Sequence, residues 1–168
     1  TAGPTFEPID PVRGITNLSS GKMGFALARA AREAGAKVTL VAGPSSRATP
    51  RGVRRIDVLT AREMFDAVMG YANRAEVFIA VAAVADWRVA NASPQKLKKN
   101  SHATPPALQF EPNPDILATV AALPGAPFCV GFAAESESVV ANAQAKLKSK
   151  GVALIVANQA QDALAADE

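Results

Sequence analysis

Cysteine and histidine are nearly missing from this sequence, with Cys129 and His102 each standing alone. A single cysteine forms no intrachain disulfide. It sits inside the apolar run Phe128 to Phe132, so it reads as a buried strand residue rather than a nucleophile. One histidine in a proline-rich loop leaves a Cys/His protease pair or a histidine-based metal site without material. Aromatic residues make up only 5% of the chain. The 49% hydrophobic fraction comes largely from alanine and valine, a composition that suits strands covered closely by small-faced helices. No apolar run is long enough to cross a bilayer, Val77 to Ala85 being too short, and no secretory signal is seen. A cytoplasmic location with no membrane partner is the expectation. A strong charge of one sign is missing too, since 18 basic residues face 15 acidic ones for a net +3, and this balance does not indicate nucleic acid.

What is present is an alternating pattern of helix and strand. Lys22 to Ala34 is alanine-rich helical text closed by Gly35, and Ala36 to Ala42 is a short apolar strand that runs into Gly43-Pro44. Val53 to Val58 reads as a second short strand. Thr60 with Glu63 forms a capping box for a helix whose apolar stripe is Met64, Val68 and Tyr71. Val77 to Ala85 lacks alternation, the mark of a central parallel strand covered on both faces. Asn113 as N-cap and Pro114 as first helical residue predict a helix to about Leu123. A strand at Phe128 to Ala133, a helix at Ser136 to Lys150 closed by Gly151, and a strand at Val152 to Ala157 follow. The reading is an α/β, Rossmann-like three-layer fold with a mainly parallel central sheet. An excursion at about 86–111 interrupts it, with a strand expected at Ala107 to Phe110. The 168 residues show no internal repeat or dividing linker and are read as a single domain, 1–168. Thr1-Ala2-Gly3-Pro4 reads as the loop after a strand and Gln161 to Glu168 as text without a closing element, so a domain lacking its first strand and its C-terminal portion is expected.

In an open parallel sheet the carboxyl ends of the strands hold the ligand, and the candidates gather there. Ser19-Ser20-Gly21-Lys22-Met23-Gly24 opens the first helix. Gly21 and Gly24 permit close backbone approach, and Ser19 and Ser20 can donate to phosphate or cap the helix, although a purely structural turn explains them equally well. Arg13 can grip a carboxylate or phosphate in a fork, and the Asn17 amide can stabilise charge developing on an acyl oxygen. A surface ion pair and a loop cap are their ordinary roles. Asp86, directly after the buried strand, can accept ribose hydroxyls, hold a divalent ion or simply cap a turn. Lys96, Lys98 and Lys99 suit phosphate charge, or a solvated loop face. Asn113 and Asp115 can orient a nucleotide or merely begin a helix. From the residues alone, the sequence says nucleotide or phosphorylated ligand on an α/β sheet and leaves the reaction open.

The run Thr1 to Arg13, continued by Ile15-Thr16-Asn17 and Ser19 to Gly24, resembles the phosphopantothenoylcysteine synthetase domain of the bacterial bifunctional coenzyme A enzyme. So do Ala82 to Arg88, Lys96 to Lys99, Asn113 to Leu117, Gly131 to Glu135 and Ile155 to Asn158. The order of these motifs along the whole chain makes the resemblance specific. It implies a ligase that activates 4'-phosphopantothenate with CTP as an acyl-cytidylate, which the amine of L-cysteine then attacks. It implies catalytic roles for Asn17, Lys96 and Arg13, and nucleotide contacts from Ser20, Gly21, Gly24, Ala82 through its backbone, Asp86, Asn113, Asp115, Phe132 and Lys146. Lys98 and Lys99 are implied in a flap over the phosphates. Mg2+ is expected with no assigned protein ligand, as are a homodimer and a fused N-terminal flavin-dependent decarboxylase domain. Pro112, Ala153 and Gln159 depart from the residues common in that family. Two other readings remain, a Rossmann-type oxidoreductase and a noncatalytic nucleotide-binding or dimerisation module. The first is disfavoured by Gly43-Pro44-Ser45 where an acidic residue would end the second strand.

Overall fold

In the computed structural model, residues 1–98 and 106–159 are described. Phe6–Asp10 (β1) and Arg13–Thr16 (β2) form an antiparallel hairpin. Helix α1 (Lys22–Glu33) leads to β3 (Thr39–Ala42), which pairs in parallel with β4 (Arg54–Asp57). Helix α2 (Ala61–Ala72) is followed by β5 (Val77–Ala80). A second antiparallel pair, β6 (Trp87–Val89) with β7 (Phe110–Pro112), carries the excursion. Then come α3 (Ile116–Ala121), β8 (Phe128–Glu135), α4 (Val139–Lys150) and β9 (Leu154–Gln159), with β5, β8 and β9 parallel in that order.

The two parallel groups are stitched together by the first residues of the chain. Ala2 bridges to Ala42 and Pro4 to Ala83, both in the parallel sense. Ala2 N–H donates to Val41 O and Ala83 N–H donates to Gly3 O. The segment stays outside the named strands, with a bend at Gly3 between its two isolated bridges, and lies between the ends of the two parallel groups.

The core lies on both faces of β3. Leu40 and Ala42 pack with Ala2, Phe25 and Ala28 under α1. Val41 points to the opposite face and joins Met64 and Val68 of α2, Ile116, Leu117 and Val120 of α3, and Cys129 of β8. Successive side chains of one strand therefore supply both clusters, which makes helix, sheet and helix layers. Cys129 is buried, and burial pushes its thiol above the ordinary range, as suits a structural strand residue.

Local chemistry explains the helix boundaries. Thr60 accepts from Glu63 N–H and the Glu63 carboxylate returns to Thr60 N–H, the expected capping box. The buried Glu7 of β1 adds a third contact by accepting from Ala61 N–H at 2.9 Å. At α3 the expectation is corrected: Asp115, not Asn113, is the N-cap, accepting from Ala118 N–H at 3.0 Å. Pro114 therefore precedes the cap instead of opening the helix, which ends at Ala121 rather than Leu123. Helix α4 begins at Val139, later than Ser136, and β9 runs Leu154–Gln159 rather than 152–157. Strand β7 lies at Phe110–Pro112, past the expected 107–110.

Val77 to Ala85 is a regular strand only to Ala80. Beyond it, Val81 and Ala82 N–H both donate to Thr1 Oγ1 at 3.1 Å, and Ala85 N–H donates to Thr5 Oγ1 at 3.0 Å. Two threonine hydroxyls replace ladder partners there, so the apolar run continues as an irregular segment in which the N–H groups of Val81, Ala82 and Ala85 are paired.

Candidate functional site

Beyond the carboxyl end of β5 lies a cleft of about 280 Å³, whose lining includes Ala82, Asp86, Asn113, Asp115, Phe132, Lys146 and Lys150. Asn113 is locked into it. Its N–H donates to Asp86 O and its side-chain amide to Ala85 O, both at 2.8 Å. Arg88 donates to the Asn113 side-chain oxygen at 3.3 Å and to Pro112 O at 2.6 Å, and pairs with Glu111 at 2.9 Å. The junction of β7 with α3 is thereby tied to the end of the 81–85 segment, and exposed Asp86 stands at the rim.

Opposite, α4 supplies two ammonium groups one turn apart. Lys146 Nζ donates to Phe132 O at 2.7 Å, which brings its charge over β8. Lys150 forms an ion pair with Asp115. Burial raises the Asp115 pKa, but the Lys150 hydrogen bond, the Ala118 N–H and the charges of Lys150 and Lys146 outweigh it and leave the carboxyl below its ordinary value. Sequence reasoning missed Lys150. The signal was available, because positions 146 and 150 share a helix face at i, i+4.

A second, more open cleft of about 580 Å³ adjoins the start of α1, lined by Ser19, Ser20, Pro44, Ser45, Ser46 and Arg47. Gly21 caps the helix at φ 77°, a left-handed backbone that other residues resist. The turn has no side-chain cap on α1; instead Gly21 N–H donates to Ser19 Oγ and Lys22 N–H to Ser20 Oγ, each at 3.3 Å. Gly24 is needed for contact, since an added Cβ would stand 2.4 Å from Ala2 Cβ. The two clefts share Thr1–Gly3 as neighbour: Thr1 lines the first, and a Cβ on Gly21 would lie 3.3 Å from Gly3 Cα.

Asn17, Arg13 and Lys96 line neither cleft. The Asn17 amide donates to Ala83 O at 2.9 Å, next to Ala82, and keeps a second N–H for another acceptor. Arg13 is engaged by Asp10 and donates to Leu97 O at 2.9 Å. Its guanidinium thus holds the segment bearing Lys96 and Lys98, which are both exposed. Lys99 lies outside the described residues. These residues contain no group of three or more His, Cys, Asp or Glu able to hold a metal ion.

The family model for the DNA/pantothenate metabolism flavoprotein C-terminal domain matches residues 1–168. The chain belongs to this family. It is similar to the Coenzyme A biosynthesis bifunctional protein CoaBC of Vibrio vulnificus (strain YJ016), at 54% identity over 94% of this chain and 40% of that protein. The chain therefore spans about two fifths of the length of the curated relatives it matches. A crystal structure of the C-terminal domain of Coenzyme A biosynthesis bifunctional protein CoaBC superimposes with a TM-score of 0.81 at 39% identity, covering 94% of this chain and 74% of that one. A Cab2 mutant in complex with phosphopantothenate-cysteine shares the fold, with a TM-score of 0.81 at 17% identity over 96% of this chain and 71% of that chain. The Rossmann-like fold expected from the sequence is thus that of the flavoprotein C-terminal domain family.

Proposed function

We propose that this chain carries the phosphopantothenate–cysteine ligase activity of coenzyme A synthesis, with CTP as the activating nucleotide. The observation that carries the reading is the cleft itself, which gathers Ala82, Asp86, Asn113, Asp115, Phe132 and Lys146 from separate stretches of sequence around one opening. The names of the relatives, and the ligand in the Cab2 structure, give the reading its substrate class.

In the first half-reaction a carboxylate oxygen of 4'-phosphopantothenate attacks the α-phosphorus of CTP. A P–O bond forms, the α–β P–O bond breaks, and pyrophosphate leaves. In the second half-reaction the amine of L-cysteine forms the amide C–N bond, the acyl C–O bond breaks, the amine proton is lost and CMP departs. Ala82 N–H is committed to Thr1, so its carbonyl is the group to meet the amino group of cytosine. Asp86 accepts ribose hydroxyls, while Lys146, Lys150 and the Ser20–Gly21 turn meet phosphate. The second Asn17 N–H serves the acyl oxygen, and Lys96 neutralises charge on the departing pyrophosphate. Arg13 acts through Asp10 and Leu97, holding the lysine-bearing segment near the site. Mg2+ would neutralise the triphosphate and assist the departure of pyrophosphate.

The full protein is read as a cytoplasmic homodimer fused to an N-terminal flavin-dependent decarboxylase domain, in keeping with the bifunctional relatives. The deciding experiment is pyrophosphate release with CTP and magnesium, with and without phosphopantothenate, followed by mass detection of the cysteine adduct. Phosphopantothenate-dependent release plus adduct supports ligation. Confirmed CTP binding with neither signal would favour a noncatalytic nucleotide module.

A further inference from the structure

Arg55, on β4, lines neither cleft, yet it governs the wall of one. Its Nη1 donates to Arg47 O at 2.7 Å and its Nη2 to Ser45 O at 3.2 Å. Its Nε pairs with Asp57 at 2.6 Å, and its guanidinium lies 5.1 Å from the centroid of the Phe25 ring on α1. One largely buried side chain thus ties the loop after β3 to the neighbouring strand and to the helix behind the serine turn.

That loop grips the turn in its own right. Ser45 Oγ donates to Ser20 O at 3.1 Å and Arg47 Nε donates to the same carbonyl at 3.2 Å. Arg47 Nη2 also reaches Ser20 Oγ at 3.4 Å. Because a peptide unit is planar, holding Ser20 O also fixes the opposed N–H of Gly21 and the Ser19 hydroxyl to which it donates. The order of contacts runs from Arg55 to the Ser45 and Arg47 carbonyls, and from those two residues to Ser20.

We infer that Arg55 is a positioning residue for triphosphate recognition, holding the Ser19–Gly21 turn in the orientation that receives the β- and γ-phosphates of a nucleotide. This rests on the reading that turn and cleft take one nucleotide between them. A loop already fixed avoids the ordering cost that a mobile one incurs on binding. Arginine suits the task because its planar fork spans two carbonyls and a carboxylate while stacking on a ring; a lysine ammonium makes no such span.

The test is calorimetric binding of CTP and of CMP, each with magnesium, to the full chain, with melting temperature in the absence of nucleotide as the check on folding. Arg55→Met weakens CTP about tenfold while leaving CMP, which lacks the distal phosphates, within about twofold. Arg55→Lys does not restore CTP affinity. Asp57→Asn, which leaves both carbonyl contacts in place, stays within about twofold of the parent for both ligands. Ser45→Ala lowers the CTP-to-CMP ratio in the same direction and adds little to Arg55→Lys, since both act through Ser20. These two variants carry the test if Arg55→Met does not fold. Equal weakening of CTP and CMP, or none, overturns the role of Arg55 while CTP binding by the parent leaves the nucleotide reading standing. A parent chain that binds neither nucleotide overturns both.

Discussion

The Asp10 carboxylate accepts the N–H of Leu97, 87 positions away in sequence, at 3.0 Å. The same buried carboxylate accepts from the N–H groups of Val12 and Arg13, each at 2.9 Å, and from the Arg13 guanidinium. A hairpin tip and the base of the lysine-bearing segment therefore share one anion. Ser93 N–H, donating to Ile9 O at 2.9 Å, adds a second tether. Asp10→Asn keeps the shape but loses the charge, so the variant is expected to melt several degrees lower and to ligate more slowly with Arg13 and Lys96 intact. Thermal melts beside turnover measure both effects, and a variant with normal melting and turnover would remove Asp10 from this role.

Acid stability follows from the same group. The Arg13 hydrogen bonds, with the N–H groups of Val12 and Leu97, hold the Asp10 carboxyl well below the usual carboxylate range against the opposing effect of burial. Asp115 is lowered as well. A folded pKa below the unfolded one means that the unfolded chain binds more protons as pH falls. The stabilisation is therefore fully present above about pH 4 and is lost below it. Urea midpoints from pH 7 down to pH 3 should decline most steeply below pH 4, and Asp10→Asn should flatten that decline.

Lys150→Met removes one of the two ammonium groups in the cleft and leaves the Asp115 carboxylate without its ion pair. CTP affinity is expected to drop about tenfold, the size of one lost charge-assisted contact. Asp115→Ala acts differently, because it also removes the cap of α3 and should cost about 1 kcal/mol in denaturant unfolding. Equal CTP affinity in Lys150→Met and the parent would place Lys150 outside the nucleotide site.

Gly24→Ala forces a methyl group to 2.4 Å from Ala2 Cβ and 2.9 Å from Thr1 O. Relief requires α1 to move off the seam, at about 1–3 kcal/mol by the measure of overpacked cores. Denaturant melts report the cost, and unchanged stability would show that the helix shifts freely.

Asn17→Asp and Lys96→Gln are expected to lose ligation while retaining circular dichroism spectra like the parent's. Neither side chain is part of the core, and Asn17 makes its contact on the exposed side, at Ala83 O. Normal ligation by both variants would refute the roles proposed for them.

The helices were legible in the sequence where local rules act alone, as at Thr60 and Glu63, whose capping box needs only four consecutive positions. The apolar runs marked β3, β5 and β8 for the same reason. Asn113 misled because an asparagine before Pro114 looks like a cap, whereas Asp86 and Ala85 engage it across the fold and Asp115 takes the cap. The β1–β2 hairpin was invisible to periodicity, since its register depends on Asp10 and on contacts beyond its own strands. Of the candidate site, motif resemblance supplied Ala82, Asp86, Asn113, Asp115, Phe132 and Lys146, which the fold brings to one cleft. It did not supply Arg55, whose contacts join segments that no local pattern relates.

The seam at Thr1–Pro4 gives the site a fixed span. Thr1 stands at the cleft and Gly3 lies beneath the Gly21 turn, with Ala2 clamped between Val41 O and Gly43 N–H. On the nucleotide reading proposed above, the contacts for base and for phosphate flank one short backbone segment that hydrogen bonds hold along its length. On that reading the segment works as a gauge: a molecule touching both clefts must match the reach between them, so overall length is tested before any side chain reads a chemical group.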